Sequence, residues 1–502
     1  METVLNPVRA VAEEGRELTD KPEEDSSDSK LSPIEKRNME DKKRIVSKLI
    51  TSVSNFSVQY NFQAIAVALL VMIETVYTSN DEECKDGNQA AWVQGTAAAT
   101  IFIGAIMGQL SMGYLGDLVG RNKALFFTLC LAAFGALSSA IFPMGDATAI
   151  YIVIIVSRFI LGIGVGGVYP LSATKAAEDG STGSGRPNAV ESAKSFFWQS
   201  PGAMTPWLVT YCLTYTSTSV ETKWRLILGI GAVPALLVLC GSTYESYLDD
   251  LLRSRVVKSQ EQTPPLSESL RSSENIKKLI ASGGGWFIYD VAFYGVNLFA
   301  GEILSAMDGD VDNVSSDANI RQVCWKEVVA AGMGIPACLL TIWLMDSWGI
   351  KTLQVVGFVL IAVGFVLMAA LFAPLRDYPD SLFAIYCMLL FFLSFGPNVT
   401  TFVLPSQIYP KKIRATFNGI SAAMGKLGAA LGAYMFGPLV DVTSLVTIMI
   451  ICAIISVIGA IVSYMYIEID DDNPNNTTNR RRIVGVNYPS VVNPISDYNY
   501  RL

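Results

Sequence analysis

The sequence predicts an all-α membrane protein with twelve transmembrane helices in two pseudo-symmetric halves of six. Of its 502 residues, 51% are hydrophobic and only 16% are charged, whereas ordinary soluble domains carry about 25% charged residues. The mean hydropathy of +0.39 indicates the same class of protein. Apolar runs of about 20 residues, the length that crosses a bilayer as a helix, recur along the whole chain. These runs fall into two groups of six, separated by a polar stretch.

The apolar runs place each predicted helix. The first group lies at about 62–78, 91–112, 124–143, 148–168, 190–215 and 225–243. The second group lies at about 284–305, 324–345, 352–374, 382–404, 413–438 and 443–467. Only helices and closed barrels satisfy every backbone group inside a bilayer, and runs of this length favour helices.

Polar stretches divide the chain into domains. The charged, Ser-rich start, the Pro-containing SQEQTPPLSESLRSSENIKK stretch and the EIDDDNPNNTTNRRR stretch lack the apolar content of a span and are typical of tails and linkers. We therefore expect a disordered cytosolic tail, an N-terminal half, a cytosolic linker, a C-terminal half and a cytosolic tail. Their predicted bounds are 1–60, 61–243, 244–282, 283–467 and 468–502.

Charged residues predict the orientation of the spans. Basic clusters that begin at Lys42, Arg121, Lys175, Arg253, Lys411 and Arg480 all fall on one side if the spans alternate. The loops on the other side, such as SNDEECKDG and AMDGDVDNVSSD, are acidic. The positive-inside rule then places both termini in the cytosol. We expect the plasma membrane, with an internal membrane as the alternative.

The chain contains no histidine, which removes the usual proton shuttle and any histidine-based metal site. No nucleotide-binding loop or nucleophile–base pair stands in the sequence, so we expect neither an enzyme nor a cofactor. Of the eight cysteines, Cys84 and Cys324 are expected near the outer side, where a disulfide between them is one alternative. Asn313 begins a glycosylation sequon on the same side.

Trp286, Asp290 and Tyr294 lie four residues apart in the apolar segment GGGWFIYDVAFYGVNLF. Steps of four on a helix return to nearly the same side, so the three residues form one stripe. A carboxylate at membrane depth is costly and usually faces a water-filled cavity or a partner. The stripe therefore predicts a site for a polar solute.

The loop after the second span predicts a gate. It contains Gly113, Asp117, Gly120 and Arg121 within GYLGDLVGRNK. Glycines permit a tight turn against a neighbouring helix, while the acid and the base can pair in one conformation and separate in another. A weaker copy, DSWGIK, follows the eighth span, and such a repeated loop is typical of transporters built from repeats.

Five stretches of the chain form a recognisable set. They are GVGGVYPLSAT at 164–174, WRLILGIGAVP at 224–234, the stripe segment from Trp286, FGPNVTTF at 395–402 and GISAAMGKLGA at 419–429. Together they resemble the major facilitator superfamily and, within it, the phosphate:proton symporter family. The resemblance covers roughly residues 60–467. It implies the major facilitator fold and secondary active transport of inorganic phosphate by alternating access between the two halves.

The resemblance also implies a phosphate cradle between the halves. By position, the cradle includes Tyr169, Gln199, Trp286, Asp290, Tyr294, Asn398 and Lys426. Tyrosine, amide and indole groups donate hydrogen bonds to phosphate oxygens, and Lys426 supplies a positive charge. An acid beside an anion is electrostatically awkward unless it carries a proton, which assigns Asp290 to proton coupling.

The other acids of the family pattern are replaced in this chain. Their positions fall on Thr75, Thr128, Val168 and Gln407, none of which carries a proton under physiological conditions. Coupling is therefore expected to differ from the family pattern. Asp290 alone could serve one proton, Glu74 could stand in on a rotated helix, or transport could be sodium-coupled or passive.

Two further functional interpretations remain as alternatives. The same donors could accept another small polar solute, namely an organic phosphate, sulfate, arsenate, a sugar or an organic ion. From a different class, the protein could be a non-transporting nutrient receptor that signals through its tails. The expected partners are phosphate or a similar small anion, a proton or sodium ion, and the lipid bilayer, with no nucleic acid.

Overall fold

The computed structural model describes residues 32–76, 91–181, 187–252, 266–294, 296 and 317–468. These residues form helices joined by short turns, with no strand among the described ranges. Seven stretches of the described part are long and apolar enough to cross a membrane. The prediction of an all-α membrane protein is confirmed.

The described residues of the first half form eight helices, because two of its spans are broken. They are α1 (Pro33–Val76), α2 (Ala91–Val119), α3 (Arg121–Ile141), α4 (Ala147–Asp179), α5 (Ala189–Phe197), α6 (Gln199–Leu213), α7 (Val220–Ile230) and α8 (Ala232–Leu252). The fifth span bends at Trp198 between α5 and α6, and the sixth bends at Gly231 between α7 and α8.

Two short helices lead into the second half, and the first of its spans starts with a π-helical turn. In chain order these elements are α9 (Leu266–Arg271), α10 (Ser273–Leu279), the π-helical turn Ile280–Gly284 and α11 (285–294). The remaining helices are α12 (Asp317–Gly332), α13 (Gly334–Phe372), α14 (Pro379–Ser394), α15 (Pro397–Ile408), α16 (Arg414–Val442) and α17 (Leu445–Tyr466). Helix α13 turns at Gly349 (φ 74°), and Gly396 (φ 71°) breaks the tenth span between α14 and α15.

Glycines let the helices of the first half pack at backbone contact. A Cβ atom at Gly104, Gly108 or Gly166 would lie 2.4, 2.1 or 2.2 Å from a backbone oxygen of the partner helix. Helices α2 and α4 therefore pack closely only because these positions carry no side chain, as is common between membrane helices.

The first helix begins well before the predicted span. Residues 33–60 were expected in the disordered tail, but α1 already starts at Pro33. Ser54, Asn55 and Asn61 on this helix are fully buried. The search for apolar runs did not include this part of the helix, because its buried face is polar. That face contacts neighbouring helices rather than lipid. The linker expected at 244–282 is likewise helical over 244–252, 266–271 and 273–282.

Polar contacts join the two halves at both ends of the bundle. The α2–α3 turn and the α15–α16 connection meet at one end, where Arg121 donates to the backbone oxygen of Lys411 at 2.7 Å. We call this end the basic face. Lys223 and Asp317 pair at the opposite face. Cys84 and Asn313 lie outside the described residues, while Cys324 is buried.

Candidate functional site

A buried lysine and a buried aspartate meet at the boundary between the halves. Lys426 on α16 donates to Oδ2 of Asp290 on α11 at 3.2 Å. It also donates to the hydroxyl of Tyr294, one helical turn further along α11, at 3.1 Å. The side chains of Lys426 and Asp290 are only 3% and 4% exposed. Because neither charge reaches water, each depends on the other for neutralisation.

Aromatic rings surround the ammonium group of Lys426. Phe62 of α1, Phe102 of α2 and Tyr169 of α4 place their ring centroids 5.5, 5.9 and 5.4 Å from Nζ. The ring centroid of Tyr294 lies 4.8 Å from the same atom. Such distances give cation–π attraction. The first half thus supplies three ring faces to a cation of the second half.

We call the four rings of Phe62, Phe102, Tyr169 and Tyr294 the aromatic box. Trp286 lies beside this box, on the side of the basic face. Its ring contacts Tyr169 and Phe402 edge to face, at centroid distances of 6.0 and 6.4 Å. Gly425 makes room for it, since a Cβ atom there would lie 2.5 Å from Cδ1 of the indole. The indole also interacts with the carboxylate of Asp290. The stripe of Trp286, Asp290 and Tyr294 therefore lies along one wall of the site.

Gln199 belongs to a neighbouring polar network. It donates to Oδ1 of Asn55 at 2.8 Å, and Nδ2 of Asn55 donates to the hydroxyls of Ser172 and Ser195. Ser172 lies one turn after Tyr169 on α4. The amide nitrogen of Gln199 is thus engaged by Asn55 in this conformation.

Asn398 and Glu74 are carried by two other helices, α15 and α1. Asn398 stands half-buried in the first turn of α15, directly after the break at Gly396. Glu74 lies near the end of α1, twelve residues after Phe62, which corresponds to about 18 Å along the helix axis. Nothing is described of its side chain.

The predicted gating loop lies at the basic face and contacts the start of α16 in the second half. Asp117 accepts hydrogen bonds from the backbone N–H groups of Ala415 and Thr416, at 3.3 and 2.7 Å. Gly113 packs against the same turn, because a Cβ there would lie 2.6 Å from the oxygen of Ala415. Gly120, at φ 98°, forms the one-residue turn between α2 and α3, a conformation that favours glycine.

Arg121 and Arg414 share one carboxylate across the boundary. Arg121 pairs with Asp117 at 3.0 Å and with Oε1 of Glu178 at 3.2 Å. Arg414 of the second half pairs with the same oxygen of Glu178 at 2.9 Å. This network of two acids and two bases closes the basic face in this structure.

Comparison with known proteins identifies the family. The model of the Sugar (and other) transporter family matches residues 48–245, and the model of the Major Facilitator Superfamily matches residues 328–496. The inorganic phosphate transporter PT2 of Toxoplasma gondii is 34% identical over 422 residues, which cover 84% of this chain and 72% of that protein. The chain belongs to the major facilitator superfamily. The recognition drawn from the sequence motifs is confirmed.

Other relatives and structures agree with this membership. The low affinity inorganic phosphate transporter 4 of Lotus japonicus is 29% identical over 413 residues, which cover 72% of this chain and 77% of that protein. The structure of the proton:xylose symporter XylE superimposes with a TM-score of 0.67 at 16% identity. It covers 85% of this chain and 96% of that structure, and it shows the major facilitator fold.

Sequence reasoning missed the aromatic residues Phe62, Phe102 and Phe402 of this superfamily member. A phenylalanine in an apolar run carries no signal that separates lipid contact from contact with a buried cation. Glu327 was also missed. The predicted eighth span began at residue 324, so Glu327 was expected at the end of that span, near the membrane surface. The structure sets it half-buried inside α12, ten residues from the start of that helix.

Proposed function

We propose that this superfamily member is a secondary active transporter that carries inorganic phosphate across its membrane by alternating access. The observation that supports this most is the buried Lys426, whose charge is held by one carboxylate and one phenol inside a box of aromatic rings. Relatives that match most of the chain are named inorganic phosphate transporters.

The chemistry of the site suits a phosphate anion. Lys426 offers a cation, and Tyr169, Tyr294 and Trp286 offer O–H and N–H donors around it. Charge-assisted hydrogen bonds to phosphate are among the strongest in proteins. A phosphate that enters the box takes over from Asp290 as the partner of Lys426. A neutral sugar gains nothing from this exchange, which is why the proposal favours an anion.

Asp290 is the proposed coupling group. A carboxylate and a phosphate anion repel each other when they share one lysine, and a proton on Asp290 removes this repulsion. Release of the proton later restores the Asp290–Lys426 pair and displaces the phosphate. Glu74 is the weaker candidate, since its position on α1 is about 18 Å along the axis from Phe62, which lies beside Lys426.

The remaining predicted residues take roles in the movement of the halves. Gly113, Asp117, Gly120 and Arg121 act as the gate at the basic face, which is the cytosolic face by the positive-inside rule. Gln199 and Asn398 are donors that approach phosphate in a conformation where the halves have moved. The protein acts in the plasma membrane with both termini in the cytosol.

Uptake of labelled phosphate into liposomes tests this function. We expect the purified full chain to accumulate phosphate when a proton gradient is imposed, and Asp290→Asn to abolish accumulation. Glu327→Gln is the matched control, because it neutralises a different acid of the second half, which lies half-buried in α12. Uptake that follows a sodium gradient, or that ignores pH and a protonophore, would overturn proton coupling through Asp290.

The same preparation separates the alternative functions. A receptor would bind phosphate without exchanging labelled for unlabelled phosphate across the membrane. Competition by unlabelled sulfate or glucose that equals competition by unlabelled phosphate would contradict the assignment of phosphate as substrate. Because the box is built around one ammonium group, we expect arsenate to compete and glucose to have no effect.

A further inference from the structure

Two buried amide side chains have no hydrogen-bond partner in the described part of the chain. Gln109 on α2 and Asn418 on α16 are both 0% exposed. Neither the oxygen nor the nitrogen of either amide makes a hydrogen bond. Most buried polar groups in proteins are paired, and an unpaired amide lowers the stability of the conformation that buries it.

Both amides lie at the boundary where the two halves touch. A Cβ atom at Gly419 would lie 2.2 Å from the backbone oxygen of Gln109, and Asn418 directly precedes Gly419. Helices α2 and α16 therefore meet at backbone contact at this level. Both residues therefore lie on helices that close against each other between the halves.

Their position along the helices lies between the site and the gate. Gln109 follows Phe102 of the aromatic box by seven residues, or about 10 Å, and precedes Asp117 of the gate by eight. Asn418 precedes Lys426 by eight residues, or about 12 Å, and follows Arg414 by four. An anion that leaves Lys426 toward the basic face passes this level.

The other fully buried amides among the described residues lie within one half and make at least one hydrogen bond. Asn55 is also fully buried, but its nitrogen donates to Ser172 and Ser195 and its oxygen accepts from Gln199. Asn61 and Gln354, two further fully buried amides, each pair their nitrogen, whereas Gln109 and Asn418 have a partner at neither amide atom. The unpaired amides lie where the proposed transport cycle opens a path.

We infer that Gln109 and Asn418 form a second, transient binding station for the transported anion on the path between Lys426 and the basic face. This inference rests on the proposed function. When α2 and α16 separate, the two amide nitrogens become donors for phosphate oxygens. They carry no charge, so they bind the anion more weakly than Lys426 does. Weak, uncharged donors suit a station that the anion must leave.

Exchange of labelled inorganic phosphate by the full chain in liposomes tests the station. We expect Gln109→Leu and Asn418→Leu each to slow exchange about tenfold, the effect of one lost hydrogen bond to an anion. Phosphate affinity at the central site, measured as protection against thermal unfolding, stays unchanged. Gln109→Asn, which keeps an amide, retains most of the rate.

Gln354→Leu is the matched control, because Gln354 is another fully buried amide, held by Ser463 within the second half. We expect it to lower the unfolding temperature and to leave the exchange rate per folded molecule unchanged. The leucine variants on the boundary should unfold at or above the wild-type temperature, since they remove an unpaired buried amide. If leucine prevents folding, alanine removes the amide without added volume.

The outcomes separate this inference from the proposed function. Leucine variants that exchange phosphate at the wild-type rate, or that slow exchange no more than Gln354→Leu does, overturn the station and leave phosphate transport intact. A wild-type protein that neither binds nor exchanges phosphate overturns both.

Discussion

Asp117 caps the first turn of a helix that belongs to the other half of the molecule. Its Oδ2 accepts hydrogen bonds from the backbone nitrogen of Thr416 at 2.7 Å and from the Thr416 hydroxyl at 2.6 Å. The first N–H groups of a helix have no partner within it and carry partial positive charge. Closure of the basic face therefore completes α16, and opening removes its cap.

The first prediction concerns this cap between the halves. Asp117→Ala should weaken closure by about 1 kcal/mol, the usual value of a helix cap, which is a roughly fivefold shift toward the open conformation. Backbone hydrogen exchange at Ala415 and Thr416, followed by mass spectrometry, should accelerate by a similar factor.

A cap inside one half provides the control for this measurement. Asp146 accepts from the backbone nitrogen of Ala149 at 2.9 Å, both residues lying at the start of α4. Asp146→Ala should accelerate exchange near Ala149 and leave the first turn of α16 unchanged. Unchanged exchange of Thr416 in Asp117→Ala would contradict a closed basic face as the resting state.

The second prediction concerns the Asp290–Lys426 pair. Asp290→Asn or Lys426→Met leaves one buried charge without its partner, which typically costs about 3–5 kcal/mol. The double variant removes both charges and should recover much of this loss in phosphate-free buffer. None of the three variants should accumulate phosphate. Unfolding in denaturant and uptake into liposomes measure the two effects.

The stability of the double variant can also contradict the pairing of Asp290 with Lys426. If the losses of the two single variants simply add in the double variant, Asp290 and Lys426 do not interact in solution. In that case the site would have to be built around Tyr294 and the aromatic box alone.

Part of the site could be predicted because it depends on local spacing. Trp286, Asp290 and Tyr294 are spaced by four residues, so they share one face of α11 however that helix packs. Their position along one wall of the site could therefore be predicted from the sequence. Lys426 was assigned to the site by the family resemblance alone. Phe62 and Phe102 face Lys426 because of the orientation of α1 and α2 relative to the second half. No local sequence pattern predicts that orientation.

The fold was predictable where helices contact lipid and less so where they contact each other. Apolar runs placed α3 and α17 within a few residues of their observed bounds. The start of α1 was missed, because Asn55 and Asn61 bury amides against other helices and lower the apolar content of that stretch. Gln199 was assigned to the cradle by position, whereas its contact with Asn55 depends on the bend at Trp198.

The third prediction concerns the close contact of α2 and α16. Gly419→Ala places a methyl group 2.2 Å from the backbone oxygen of Gln109, so the basic face cannot close without a shift of one helix. We expect phosphate exchange to fall more than about tenfold, since alternating access requires that closure. Gly229→Ala is the control, because its nearest neighbour would be Cβ of Ala140 at 3.3 Å. An exchange rate in Gly419→Ala equal to that of the control would show that this contact is dispensable.

The fourth prediction concerns the face opposite the gate. Lys223 of the first half donates to both carboxylate oxygens of Asp317 of the second half, at 2.9 and 3.1 Å. Lys223 is buried while Asp317 is partly exposed, so the pair is worth about 1 kcal/mol after solvent screening. Asp317→Lys places two cations together and should accelerate hydrogen exchange in the first turn of α12.

Reversal of both charges tests whether the pair acts as a contact between the halves. Lys223→Asp combined with Asp317→Lys restores opposite charges and should return the exchange of α12 toward the wild-type rate. Glu221→Lys breaks a pair within the first half, between Glu221 and Arg225, and should leave α12 unaffected. If the charge reversal does not rescue the single variant, burial of Lys223 rather than its ion pair keeps this face closed.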